Sequence, residues 1–162
     1  TLPAAAPQVL LLQANLDDMS PQLVEPLFEA LFAAGALDVW CTPIVMKKGR
    51  PAFEISALAA PDARQAVERA FFVNAPTLGV RAFPAGRSVL GRALERVETS
   101  FGEVTIKVAS LDGNVVGATP EFEDCRALAR ERQVPVREVL ASANAAAARW
   151  LDAHAVGGPA RG

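Results

Sequence analysis

A single histidine, two cysteines and no excess of positive charge remove several classes of chemistry from this chain of 162 residues. His154 stands near the C-terminal end of the last predicted helix, where a cation suits the helix dipole, so a serine or cysteine nucleophile has no histidine base to activate it. Cys41 and Cys125 lie far apart and form no CxxC or Cys/His spacing. That argues against a disulfide framework and a zinc site and favours a reducing cytoplasm. Lys and Arg number 16 against 18 Asp and Glu, a net charge of -2, so non-specific nucleic-acid binding has no basic surface to work with and any anion site is local. No apolar run approaches the length of a membrane-spanning helix, and the first residues lack the basic segment of a signal peptide. The phosphate-cradling patterns GxxxxGK(S/T) and GxGxxG are both absent, and there is no internal repeat.

What the chain has is apolar content, 51% of its residues, enough to bury a real core. Thr1 to Pro7 is a Pro/Ala stretch without an initiator Met, so residues 1–8 are read as a linker in a piece of a longer protein. Val9-Leu10-Leu11-Leu12 then reads as a buried strand, and Leu23, Val24, Leu27, Leu31 and Phe32 recur at helical spacing up to Gly35. Ser20 and Pro21 suit a helix start, with the Ser20 hydroxyl as cap. Residues 36–46 predict a strand, whole or broken at Pro43, and Phe53, Ile55, Ala57 and Leu58 a second one, joined by a turn at Lys47-Lys48-Gly49-Arg50-Pro51. A helix from Pro61 to about Asn74 and a strand at Thr77 to Phe83 complete the order βαββαβ. The predicted class is therefore α+β, a ferredoxin-like antiparallel sheet over 9–85. Residues 86–156 add a hairpin, Arg87 to Glu98 with Val104 to Val108, and two C-terminal helices within the same compact domain, and 157–162 form a tail.

Two local features carry possible chemistry. Asp17 and Asp18 follow the first strand directly, where carboxylates suit either a helix N-terminus or a hard divalent cation. Lys47, Lys48 and Arg50 crowd the glycine-containing turn, which suits either a solvated hairpin tip or a phosphate. Together they match a metal-bound triphosphate. In a ferredoxin-like order the two turns are expected at opposite ends of the sheet, to be joined by another chain path or a neighbouring subunit. Arg81, Arg87 and Arg92 are further phosphate candidates, Asn15 accompanies the acidic turn on the nucleotide side, and Glu121, Glu123 and Asp124 mark either a helix start or a metal or subunit contact. Trp40 and Trp150 are read as core or interface. No catalytic residue is assigned.

The motifs NLDDMSP, GALDVWCTPIVMKKGRP, TLGVR, FGEV and PEFEDC, in this order from Val9 to Val139, resemble the C-terminal part of the LarC family of nickel pincer cofactor biosynthesis proteins. The resemblance implies a CTP-dependent nickel insertase, a metal chelatase of the lyase class, acting on pyridinium-3,5-bisthiocarboxylic acid mononucleotide. It implies CTP with Mg or Mn as ligand, nickel in the full-length protein, and an N-terminal half of the same protein and further copies of the chain as partners; the charge and the lack of a long apolar run already argue against nucleic acid and membrane. On its motifs Asp17 and Asp18 would bind the metal, Lys47, Lys48 and Arg50 would hold phosphates with Arg81 and Arg87 as additions, and Glu121, Glu123 and Asp124 fall in the PEFEDC motif. The alternative is a ferredoxin-like module that binds a ligand and oligomerises without chemistry.

Overall fold

The computed structural model describes residues 8–154, so most of the predicted linker and the whole predicted tail lie outside the described residues. Two compact units emerge, 1–88 and 89–162. The expectation of one compact domain is therefore replaced by two, for a physical reason. The strands fall into separate sheets, of four and three strands, and each unit buries its own apolar clusters.

In the first unit the strands are β1 (Gln8–Leu16), β2 (Ala36–Met46), β3 (Arg50–Ala59) and β4 (Arg81–Gly86), with helices α1 (Val24–Ala33) and α2 (Arg64–Asn74). The sheet order β2-β3-β1-β4, all antiparallel neighbours, is the predicted ferredoxin-like arrangement. Alternation along β1 and β3 sets the two faces. Leu12, Ala14 and Leu16 with Ile55, Ala57 and Ala59 pack against Leu27 and Leu31 of α1 and Val67 and Phe71 of α2. Each large side chain buried there contributes about 1.5–3 kcal/mol. Gln13, Asn15, Glu54 and Ser56 take the intervening positions and so share the face without helices. Pro43 sits unbroken within β2 because β2 is an edge strand, where a missing amide hydrogen costs no ladder bond.

Three local expectations change. Ser20 makes no side-chain cap; Pro21 opens a short 3-10 turn, Pro21–Leu23, in which the Leu23 N–H donates to the Ser20 carbonyl at 3.0 Å. Thr77 to Val80 is not strand. The Thr77 hydroxyl donates to the Gly79 carbonyl at 2.9 Å and accepts the Gly79 N–H at 3.3 Å, and this local turn delays β4 until Arg81. The second unit holds three strands rather than a hairpin: β5 (Gly91–Thr99), β6 (Gly102–Leu111) and β7 (Asn114–Pro120), followed by α3 (Phe122–Arg132) and α4 (Val136–His154). Asp112 and Gly113, both with positive φ, form the two-residue turn into β7. Val97, Ile106 and Val108 pack on Ala146 and Ala147 of α4, and Val104 on Cys125 of α3 and Val139 of α4.

Candidate functional site

The acidic and basic turns of the first unit meet. Leu16, the last residue of β1, pairs with Phe53 near the start of β3, so the chain leaving β1 and the chain entering β3 share one end of the sheet. The expectation that the turns lie at opposite ends is overturned, because the helical crossover makes β1 and β2 run in the same direction and the β2–β3 hairpin must tip over at the end where β1 stops. Arg50 Nη1 donates to Asp17 Oδ2 at 3.2 Å across this end. Met19, 7% exposed, buries itself in the core beneath the turn and leaves Asp18 exposed beside it. Asp17 and Asp18 precede Ser20, the cap residue, and Asp17 engages a guanidinium rather than helix amides.

The basic turn carries an unusual backbone. Lys48 has φ 62° and ψ 21°, the left-handed region that a side chain with a Cβ visits at a cost, and Gly49 follows at φ 70°. Lys47 and Lys48 are exposed, and among the described residues neither enters an ion pair.

A polar network lies beside this end on the face without helices. Arg81 Nη2 donates to Asn15 Oδ1 at 2.7 Å and to Glu54 Oε2 at 3.0 Å. Gln13 Nε2 donates to Glu54 Oε1 at 2.9 Å and to the Ser56 hydroxyl at 3.0 Å. Sequence reasoning found Asn15 and Arg81 but missed Gln13, Glu54 and Ser56. Their signal was the alternation of β3 itself, since Glu54 and Ser56 fill the positions between the apolar Phe53, Ile55 and Ala57.

The other candidates are placed elsewhere. Arg87 follows Gly86, which pairs with Gln8 at the opposite end of β1, so this unit does not bring it to the acidic turn. Glu121 is ion-paired to Lys107 Nζ at 2.8 Å and to Arg92 Nη2 at 3.7 Å, and Glu123 to Arg126 at 2.6 Å. Asp124 anchors α3 to β6: Thr105 donates to it through its hydroxyl and through its backbone N–H, the latter at 2.9 Å, and these bonds hold the carboxyl below the usual carboxylate range. A cavity of about 270 Å³ in the second unit is lined by Arg92 and Lys107 together with Val108, Ala109, Gly117 and Ala118. Burial pushes the Cys41 thiol up, and burial together with the Asp124 charge does the same to Cys125, so neither is an activated thiolate.

Among the described residues no group of three or more His, Cys, Asp or Glu gathers as a metal cage. Two carboxylates beside three cations fit a hard divalent ion that arrives sharing phosphate oxygens, and do not fit a self-sufficient metal centre.

Fold and site together define a class: a ferredoxin-like α+β unit that presents an acidic and a basic loop at one end of its sheet, followed by a second antiparallel α+β unit. The chain belongs to the nickel insertion protein family, whose model matches residues 3–140. A putative nickel insertion protein of Thermomicrobium roseum is 46% identical over 142 residues, covering 88% of this chain and 35% of that protein. A pyridinium-3,5-bisthiocarboxylic acid mononucleotide nickel insertion protein of Thermotoga sp. (strain RQ2) is 40% identical over 130 residues, covering 80% of this chain and 32% of that protein. The chain thus spans about a third of the length of these relatives. Among solved structures, the apo C-terminal domain of a cyclometallase involved in the synthesis of the NPN cofactor of lactate racemase superposes with a TM-score of 0.81 at 34% identity, covering 88% of this chain and 98% of that one. A protein of Methanopyrus kandleri AV19 follows at a TM-score of 0.62 and 29% identity, covering 88% of each chain.

Proposed function

We propose that this chain is the metal- and CTP-binding part of a nickel insertase that places nickel into pyridinium-3,5-bisthiocarboxylic acid mononucleotide. The observation that carries the proposal is the 3.2 Å contact between Arg50 and Asp17, which brings an acidic and a basic turn to one end of one sheet. Asp17 and Asp18 would hold Mg or Mn, and Lys47, Lys48 and Arg50 would hold the phosphates, with Arg81 beside them. A divalent ion bound there would screen the charge of the triphosphate oxygens. The exposed lysines would neutralise the charge that develops as a phosphate bond breaks. Nickel is cargo in this scheme, and the rest of the longer protein would handle it together with further copies of the chain. Cys41 and Cys125 are free thiols, in keeping with a cytoplasmic setting, and among the described residues no helix is long and apolar enough to cross a membrane.

Calorimetry with CTP and Mn on the wild type, Asp18→Ala and Lys48→Ala tests the site. Loss of affinity in both variants is expected, and unchanged affinity in both would sink the assignment. A non-catalytic module that binds a ligand and oligomerises is the second reading, favoured by the lack of any histidine in residues 1–88. Incubation with CTP and Mn separates the two, because only the enzyme releases CMP or CDP.

A further inference from the structure

We propose that Glu54 is a positioning residue, which together with Asn15 presets the Arg81 guanidinium as an anion donor for the phosphate-bearing ligand of this site. The proposal rests on the nucleotide-binding reading above and extends it to Glu54, which no motif in the sequence marked.

The strand register explains why the group exists. Asn15 pairs with Glu54, and Gln13 pairs with both Ser56 and Arg81, so residues of three adjacent strands stand side by side on the face without helices. Ser56 is fully buried, and its hydroxyl accepts from Gln13 Nε2 at 3.0 Å. Gln13 in turn donates to Glu54 Oε1 at 2.9 Å, which leaves Oε2 for Arg81 at 3.0 Å. Both oxygens of Glu54 are therefore occupied by different donors, and the carboxylate cannot rotate without losing one. Order is passed outward from a buried hydroxyl to an exposed guanidinium.

Arg81 receives two acceptors on one nitrogen, Asn15 Oδ1 at 2.7 Å and Glu54 Oε2 at 3.0 Å. Among the described residues its hydrogen bonds leave only from Nη2, which keeps Nη1 and Nε as donors for an incoming oxyanion. The Arg81 side chain is 44% exposed, so the pair adds little to folding stability, while immobilising a long side chain costs entropy. Orientation is what such a network delivers: a donor already in place loses less freedom when the ligand arrives. The location agrees. Asn15, the penultimate residue of β1, lies two residues before Asp17, at most roughly 7 Å along the chain, so the preset arginine borders the acidic and basic turns.

The test turns on a sign. Removing a carboxylate from beside an anion site tightens anion binding if only charge matters, whereas losing a positioning residue weakens it. Tripolyphosphate, which has no base and needs no metal, is titrated calorimetrically into the full chain as wild type, Glu54→Gln, Arg81→Gln and the double variant, and the series is repeated with CTP and Mn. Arg81→Gln is expected to lose about tenfold in affinity, a charge-assisted bond's worth. Glu54→Gln is expected to lose several-fold with an unchanged melting temperature, and the double variant to bind no worse than Arg81→Gln. Tighter or unchanged binding by Glu54→Gln overturns the positioning role and leaves the nucleotide reading standing, as does a loss that simply adds to that of Arg81→Gln. A wild type that binds neither tripolyphosphate nor CTP with Mn overturns both.

Discussion

Arg50 Nη1 reaches Asp17 Oδ2 at 3.2 Å, and this single contact closes the gap between the loop after the first strand and the tip of the β2–β3 hairpin. The side chains are 55% and 22% exposed, so the pair belongs to the exposed class that contributes 0 to about 1 kcal/mol. A weak pair is an exchangeable one. On the proposed function each partner would bind one half of a metal-triphosphate complex, and here each holds the other. Glu54 and Arg81, tied by additional bonds to Gln13 and Asn15, form the fixed counterpart.

Exchange of partners at Asp17 has a measurable consequence. With Asp17→Asn the guanidinium of Arg50 is released, so CTP affinity in EDTA is expected to rise by two- to tenfold, while added Mn ceases to improve it. Arg50→Ala is expected to weaken CTP binding at least tenfold and to change folding stability by less than about 1 kcal/mol. Calorimetry with and without Mn, alongside urea denaturation, reads both. Metal-free affinity in Asp17→Asn that is no higher than in the wild type refutes the exchange.

Lys48 offers a second measurement, because its left-handed backbone separates folding from binding. A left-handed conformation costs a residue with a Cβ about 1–2 kcal/mol, and glycine there removes that strain while giving up about 0.5–1 kcal/mol of unfolded-chain entropy. Lys48→Gly is therefore expected to fold as stably as the wild type, or more so by about 1 kcal/mol, and yet to bind CTP with Mn at least fivefold more weakly. A variant that keeps full affinity would show that the Lys48 ammonium takes no part.

Much of this was legible in the residues, and each failure has its own cause. Alternating apolar positions in β1 and β3 and helical spacing in α1 and α2 are local signals, and they predicted the first sheet. The Asp17–Arg50 contact was missed although the predicted order implies it: strands β1 and β2, joined through a helix, run the same way, so the β2–β3 tip returns to the end where β1 stops. Glu54, between Phe53 and Ile55, falls on the face without helices, where alternation alone reads an acid as an ordinary solvated strand position. The strand β7 was overlooked even though Asp112-Gly113 is the dipeptide that turns a hairpin back on itself. Thr77 to Val80 misled through its composition, since the Thr77 hydroxyl bonds locally and takes the backbone out of the ladder.

Asp124 provides the pH-dependent prediction, and it concerns stability rather than catalysis. Its carboxylate accepts from the Thr105 hydroxyl and backbone N–H, and joins the first turn of α3 to the middle of β6. Those bonds favour the charged form, so the folded-state pKa lies below the unfolded one. The stabilisation is then fully present above the unfolded carboxylate range, near pH 4, and is lost as pH falls through the lower folded value. Asp124→Asn is expected to cost about 1–3 kcal/mol at neutral pH, because the amide replaces a charged acceptor with a neutral one and adds a donor at a crowded helix start. Lowering the pH should narrow the gap between wild type and variant, since acid destabilises the wild type through this group and leaves the variant untouched. Denaturation midpoints measured from pH 7 down to pH 3 check the sign, and a gap that stays constant or widens on acidification would show that the Thr105 bonds do not stabilise the charged carboxylate.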